Sequence, residues 1–171
     1  MKTLLLLALS LLLPMTSRLR AQSVKDAPEM KVLLQFVGKW KFEATQFKAE
    51  WTPEEKHLTG TATSAAVLDG SFIEEKAILS DHTTAQKLYT YDRQAGTYRA
   101  WWFSSLGHFN DSTGTWDAAS RTFTWITKLP TGQVGKTTQH FPDDQTMEWE
   151  IAFTGDDRTL YFRSSGKNTR E

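Results

Sequence analysis

Two hydrophobic periods divide the chain. Over residues 29–40, EMKVLLQFVGKW, the apolar Met30, Leu33, Leu34 and Val37 fall at i, i+3, i+4 and i+7, which places them on one face of a short helix. From Trp40 onward the period is two: Trp40, Phe42 and Ala44 alternate with Lys39, Lys41 and Glu43, as in a strand with one packed and one solvated face. The alternation is cleanest at 146–153, where Met147, Trp149, Ile151 and Phe153 take one face and Thr146, Glu148, Glu150 and Ala152 the other. Asp26 and Pro28 are start signals for the helix, and Gly38 is placed to end it. Its apolar face is expected to pack on a core, with a partner-binding helix as the other reading.

Turn chemistry sets the spacing of the strands. Asp69-Gly70 is a hairpin signal between a Thr- and Ala-rich strand at 57–68 and another at 71–79. Tyr91-Asp92 to Thr97-Tyr98 and Trp116-Asp117 to Thr122-Phe123 each place an aromatic, an Asp, four residues, a Thr and an aromatic in that order, and 153–160 is a looser version. In such a turn the Asp can accept backbone N–H groups while the aromatics meet across the hairpin. Pro130-Thr131-Gly132 and Pro142-Asp143-Asp144 add two turns, for about ten strands in all. The expected fold is therefore all-β: a single antiparallel up-and-down β-barrel of about ten strands, with the short N-terminal helix closing one end. A barrel is preferred to a sandwich because successive hairpins leave only the first and last edges, and pairing them removes both.

Composition narrows the setting. The 171 residues carry 20 basic and 20 acidic groups, so no net field draws nucleic acid. Lys2, the apolar run 4–13 interrupted only by Ser10, and a polar segment after Pro14 have the layout of a secretory signal over residues 1–23. That run is too short to cross a hydrocarbon core of about 30 Å. Arg18 and Arg20 near the cleavage site keep an uncleaved anchor as the alternative. Residues 24–28 are expected as a linker and 29–171 as the barrel domain. Without its signal the chain is mildly acidic, exported to a periplasm or beyond, and free of the membrane. The absence of Cys excludes disulfides and thiol chemistry.

Catalytic templates fail. G-x-S-x-G, H-E-x-x-H and both Gly-rich nucleotide loops are missing, so no catalytic residue, metal or cofactor is assigned. His57, His82, His108 and His140 are scattered, with no second ligand at metal spacing; a haem or metal site on one of them is a minor alternative. Ser104, Ser105 and His108 follow the aromatic strand 98–103 and are read as a polar rim rather than a nucleophile with its base. Glu74 shares a face with Phe72, Lys76 and Ile78, and Glu75 with Ile73, Ala77 and Leu79. Glu148 and Glu150 are expected outside, as solvated charges; inside they would line a polar cavity. Among 7 Trp, 10 Phe and 4 Tyr, Trp101 and Phe103 share one face of their strand while Tyr98 and Trp102 share the other. An inner aromatic set can line a cavity, and an outer one needs a cover or partner.

Gly38-Lys39-Trp40 behind a short closing helix resembles the opening of the calycin barrels, which include lipocalins and fatty-acid-binding proteins. Tyr161-Phe162-Arg163 adds to the likeness, because in those families an Arg near the chain end packs over the first-strand Trp. The resemblance thus implies that Arg163 stacks on Trp40. From about 33 to 163 the chain is also similar to a bacterial family, domain of unknown function 1579, with a calycin-like barrel. The matching pieces are Phe36-Val37-Gly38-Lys39-Trp40, Leu68-Asp69-Gly70-Ser71-Phe72-Ile73, Tyr91-Asp92 through Tyr98 to Trp102, and Ser112-Thr113-Gly114. An acidic residue often follows the aromatic strand in that family, and Ser104-Ser105 stands here instead.

These features lead to the expectation of an exported barrel that binds a small apolar or amphipathic molecule. Trp40, Phe42, Tyr98 and Trp102 are the ligand-binding candidates, and Gly38 and Arg163 the structural ones. The alternatives are an enzyme using a barrel-lining Tyr, Glu or His as acid or base, and an interaction module, homodimeric or otherwise, built on the outward aromatics of 98–103. The binding mouth is expected at the end away from the helix.

Overall fold

The computed structural model describes residues 24–171; the expected signal at 1–23 lies outside the described residues. A 3₁₀ turn (Val24–Asp26) leads into α1 (Pro28–Leu33), and a second 3₁₀ turn (Leu34–Phe36) leads into the strands. These are β1 (Gly38–Phe47), β2 (Lys56–Val67), β3 (Phe72–Leu79), β4 (Thr84–Asp92), β5 (Thr97–Ser104), β6 (Phe109–Asp117), β7 (Thr122–Lys128), β8 (Val134–His140), β9 (Thr146–Thr154) and β10 (Leu160–Arg170). Each pairs antiparallel with the next, and β10 pairs back on β1, so the ten strands form a closed up-and-down barrel without a free edge.

The hairpin turns form as their sequences predict. Asp92 Oδ1 accepts the N–H groups of Gln94 and Ala95 at 3.0 and 3.1 Å, and Asp117 accepts from Ala119 N at 3.0 Å and Ser120 Oγ at 2.7 Å. The flanking rings meet, Tyr91 on Tyr98 at 5.1 Å and Trp116 on Phe123 at 4.6 Å between centroids. Asp157 makes the corresponding bond to Thr159 N at 3.0 Å.

The helix closes the barrel with Met30 and Leu33 of the expected face, but its buried stripe then continues differently. Ala27, Met30, Leu33 and Phe36 are at most 3% exposed, whereas Leu34 is 50% exposed. α1 stops at Leu33 and tightens into a 3₁₀ turn, whose three residues per turn carry the buried stripe from Leu33 to Phe36 rather than to Leu34 and Val37. Asp26 does not cap the helix: Ala27 holds the N-cap position, and Pro28 opens the first turn. Residues 24–28 are no free linker, since Ala27 is fully buried and Lys25 pairs with Asp69 at 2.6 Å. Gly38 starts β1 rather than capping the helix.

Phe36 is the centre of this plug. It stacks on Tyr89 at 4.6 Å and 6° and contacts Phe123 and Phe141 at 5.4 and 5.3 Å. A fully buried side chain of this size contributes roughly 1.5–3 kcal/mol by transfer from water.

Inside the wall, bulky rings face glycines on the neighbouring strand. Gly114 lies opposite Trp125 and Gly166 opposite Trp149, and a Cβ at either glycine would sit 2.3 and 2.6 Å from the indole. Phe42 over Gly60 and Phe153 over Gly135 repeat the arrangement. Each ring fills the space its partner leaves, so the aromatic surplus packs across strands inside the barrel.

Candidate functional site

Alternation and register decide which side chains face inward. The inward face of β3 is that of Ile73, Glu75, Ala77 and Leu79, since Ile73 is fully buried and Ile78 on the other face is 58% exposed. Glu75 pairs in register with Ser64 on β2 and Lys87 on β4; Lys87 pairs with Trp102 on β5, and Trp102 with Asn110 on β6. A continuous inward row thus runs Ser64, Glu75, Lys87, Trp102, Asn110. Lys87 Nζ donates to Glu75 Oε1 at 3.0 Å.

Above this row, toward the helix, the interior is filled. Tyr89, Tyr98, Phe123, Trp125 and Met147 are buried there. Their polar atoms are paired: Trp125 Nε1 donates to Gln139 Oε1 at 2.7 Å, and Gln139 Nε2 meets Met147 Sδ at 3.7 Å. Ser112 and Thr127 share a hydrogen bond of 2.7 Å. Two inward groups break the pattern: the Ser64 and Tyr89 hydroxyls are buried without a hydrogen bond of proper geometry.

Below the row, packing is incomplete. The Lys87 side chain points into the barrel between strands that wall it on both sides, yet it keeps 34% of its surface exposed, against 7% for Glu75. Inward-facing Phe42, Trp102, Asn110, Ile151 and Phe162 are likewise only half-buried. These side chains face inward and remain accessible in the half of the barrel away from the helix. At that end, Trp51 leans from the β1–β2 connection onto Phe153 and Tyr161 at 5.7 and 5.3 Å, itself 46% exposed.

The charges of the row are stable ones. Burial works hardest against the Lys87 ammonium, but the Glu75 carboxylate and the neighbouring Tyr89 together outweigh it and hold the pKa above the ordinary lysine value. Burial, reinforced by the Glu75 charge, pushes the Tyr89 phenol above its ordinary range. Near neutral pH the pair presents an ammonium and a neutral hydroxyl, both donors.

The expected site residues separate into two groups. Trp40 and Tyr98, 2% and 6% exposed, lie in the filled half. Trp40 Nε1 donates to Phe36 O at 2.8 Å, and Tyr98 packs on Tyr91, Phe123 and Trp125. Phe42 and Trp102 lie among the half-buried inward side chains. Arg163 does not reach Trp40: it faces outward, bonds Glu150 Oε1 at 2.9 Å and lies over Phe47 at 4.9 Å. The guanidinium over Trp40 belongs to Arg170, 4.3 Å from the ring centroid, because the β1–β10 register sets Trp40 opposite Arg170 and Phe47 opposite Arg163. Gly38, at φ 139°, leaves room for it; a Cβ there would stand 2.3 Å from Arg170 Nη1.

The remaining polar candidates are structural or solvated. The Ser104 and Ser105 hydroxyls accept backbone N–H groups from Leu106 and Thr84 at 3.2 and 3.0 Å. Glu148 and Glu150 face out, into a groove of about 710 Å³ across β8, β9, β10, β1 and β2 that also holds Glu43, His57, His140 and Lys167. His57 contacts Thr45 at 3.1 Å and His140 Nδ1 contacts Ser120 O at 2.9 Å. Among the described residues no group of His, Asp and Glu is arranged to hold a metal ion. Of the outward aromatics, Trp101 is covered by Phe72 and Arg99, while Phe103 is 39% exposed beside Ile78 and Phe109.

Lys87, Phe36 and Arg170 escaped the sequence reading. The signal for Lys87 was present: it alternates with Ala85, Tyr89 and Tyr91, as Glu75 does with Ile73 and Ala77. A charge on each of two apolar faces in adjacent strands calls for mutual pairing.

The barrel resembles one solved structure in fold. The S-type phycobiliprotein lyase CPES of Guillardia theta superposes with a TM-score of 0.56 at 9% identity, over 86% of this chain and 94% of that one. A protein of unknown function from the DUF3598 family of Nostoc punctiforme gives 0.49 at 8% identity, over 80% of this chain and 48% of that one. A designed fluorescence-activating β-barrel gives 0.34 at 15% identity, over 80% and 94%. No curated protein matches the chain. Residues 25–162 match the family described as protein of unknown function (DUF1579), and the chain belongs to that family.

Proposed function

We propose that this protein is an exported barrel that binds a small apolar or amphipathic molecule in the half of its interior away from the helix. The observation that carries the reading is the exposure of Lys87, 34% for a side chain that the register turns inward. Trp102 and Phe42 supply apolar wall beside it, as ligand cavities require. The phycobiliprotein lyase shares the barrel shape. Export rests on Lys2 and the apolar run 4–13.

The polar row favours binding over acid–base catalysis. A general acid or base works best with a pKa near the operating pH, and Lys87 and Tyr89 are both moved away from it. They hold a ligand's acceptor better than they exchange protons.

A neutral environment-sensitive probe, 4-(1-pyrenyl)butanol, should bind and gain fluorescence. Ala85→Phe, which fills that half of the interior from β4, should abolish the gain while leaving the near-ultraviolet circular dichroism native. Probe binding that persists unchanged in Ala85→Phe would move the site elsewhere, and no binding to the native protein would end the proposal. For export, the mature N-terminus recovered from cells should lie near Ser23.

A further inference from the structure

We infer that this half of the interior is specific for amphipathic molecules ending in a carboxylate, with Lys87 as the residue that takes the acid group. The inference rests on the binding reading above. An ammonium has three donors, and Glu75 Oε1, beside it in the row, takes one of them at 3.0 Å. The side chain keeps 34% of its surface exposed, so a donor not taken up by Glu75 or Tyr89 stays open to an occupant, and a ligand that excluded water without accepting it would leave it unpaired at a cost.

Competing polarities are disfavoured by the same geometry. Glu75 is 7% exposed against 34% for Lys87, so an amine would meet the ammonium more readily than the carboxylate. Arg170, at the helix end, is occupied by the carbonyls of Gln35, Val37 and Asp144 and by the face of Trp40. The buried Tyr89 hydroxyl, two residues along β4 and beside Lys87 and Gln139, adds a dipole next to the ammonium. Trp102, opposite Lys87 in the register, gives the ligand's apolar body a flat surface beside its charged end.

The test uses three probes with one apolar body: 4-(1-pyrenyl)butanoate, 4-(1-pyrenyl)butanol and 4-(1-pyrenyl)butylammonium, titrated at neutral pH. The acid should bind about tenfold or more tighter than the alcohol, as a charge-assisted hydrogen bond supplies, and the ammonium should bind weakest. The double substitution Glu75→Gln, Lys87→Met removes both charges together, so it strands no buried ion. It should abolish the acid's advantage, leaving acid and alcohol with the same affinity. Equal binding of acid and alcohol to the native protein overturns the inference while leaving the binding reading intact. An acid preference that survives in the double variant also overturns it. Failure of all three probes overturns both.

Discussion

Arg170 lies over Trp40 with its guanidinium carbon 4.3 Å from the ring centroid, and this contact joins the two ends of the barrel wall. The same guanidinium donates to Val37 O and to Gln35 O, carbonyls at the end of the 3₁₀ turn that have no partner within it, and its Nε reaches Asp144 O at 2.9 Å. One side chain thus holds the plug, the first strand and the β8–β9 turn. Trp40 is fixed from the other side by its bond to Phe36 O.

Arg170→Ala should therefore destabilise the protein by about 2–4 kcal/mol, since several charge-assisted bonds go and buried carbonyls are stranded. Arg170→Lys should recover less than half, because an ammonium cannot fork to two carbonyls while lying flat on the indole. Arg163→Ala, which removes a half-exposed ion pair with Glu150, should cost less than about 1 kcal/mol. Urea unfolding of the three variants ranks them; equal costs for Arg163 and Arg170 would contradict the assignment.

The buried stripe of the plug makes an opposite forecast for two neighbours. Phe36→Ala should cost about 3–5 kcal/mol, by loss of the stack on Tyr89 and the contacts to Phe123 and Phe141. Leu34→Ala, at a half-exposed position, should stay within about 0.5 kcal/mol. A larger loss at Leu34 than at Phe36 would restore the regular α-helical phase.

Gly114 and Trp125 should behave as a coupled pair. Gly114→Ala drives a methyl into the indole and should cost about 1–3 kcal/mol by overpacking. In a Trp125→Leu background, where that space is vacated, the same change should cost at least about 1 kcal/mol less. Additive effects in the double-mutant cycle would show that the ring and the glycine do not share the space.

Tyr98 gives stability a dependence on alkaline pH. Burial first, then the Glu29 carboxylate and Tyr91, pushes its phenol up to about 12 from 10.0. Above pH 10 the unfolded chain gives up this proton while the folded chain keeps it until about 12, so the folded state binds more protons in that window. Stability is then full below about pH 10 and falls as pH rises toward 12. The urea midpoint, followed across this range, should fall less steeply in Tyr98→Phe than in the native protein; identical slopes would refute the contribution.

Much of the architecture can be read in local order. Period-two burial, the Asp that accepts its own turn's N–H groups, and the aromatics that meet across a tight hairpin are effects among residues close in sequence. They specify ten antiparallel strands following a short apolar helix, and they place Glu75 on an apolar face. Closure follows from topology, because a meander leaves only β1 and β10 unpaired. The contacts that matter for the site depend on more. Whether Arg163 or Arg170 meets Trp40 depends on the register of β1 against β10, set by how all ten strands stagger around the barrel. The plug's phase depends on a 3₁₀ turn stabilised by rings from β4, β7 and the segment after β8, not on the helix's own pattern. The Glu75–Lys87 pair exists only once β3 and β4 lie side by side. Local sequence can put a charge on an apolar face; only the closed wall brings its partner.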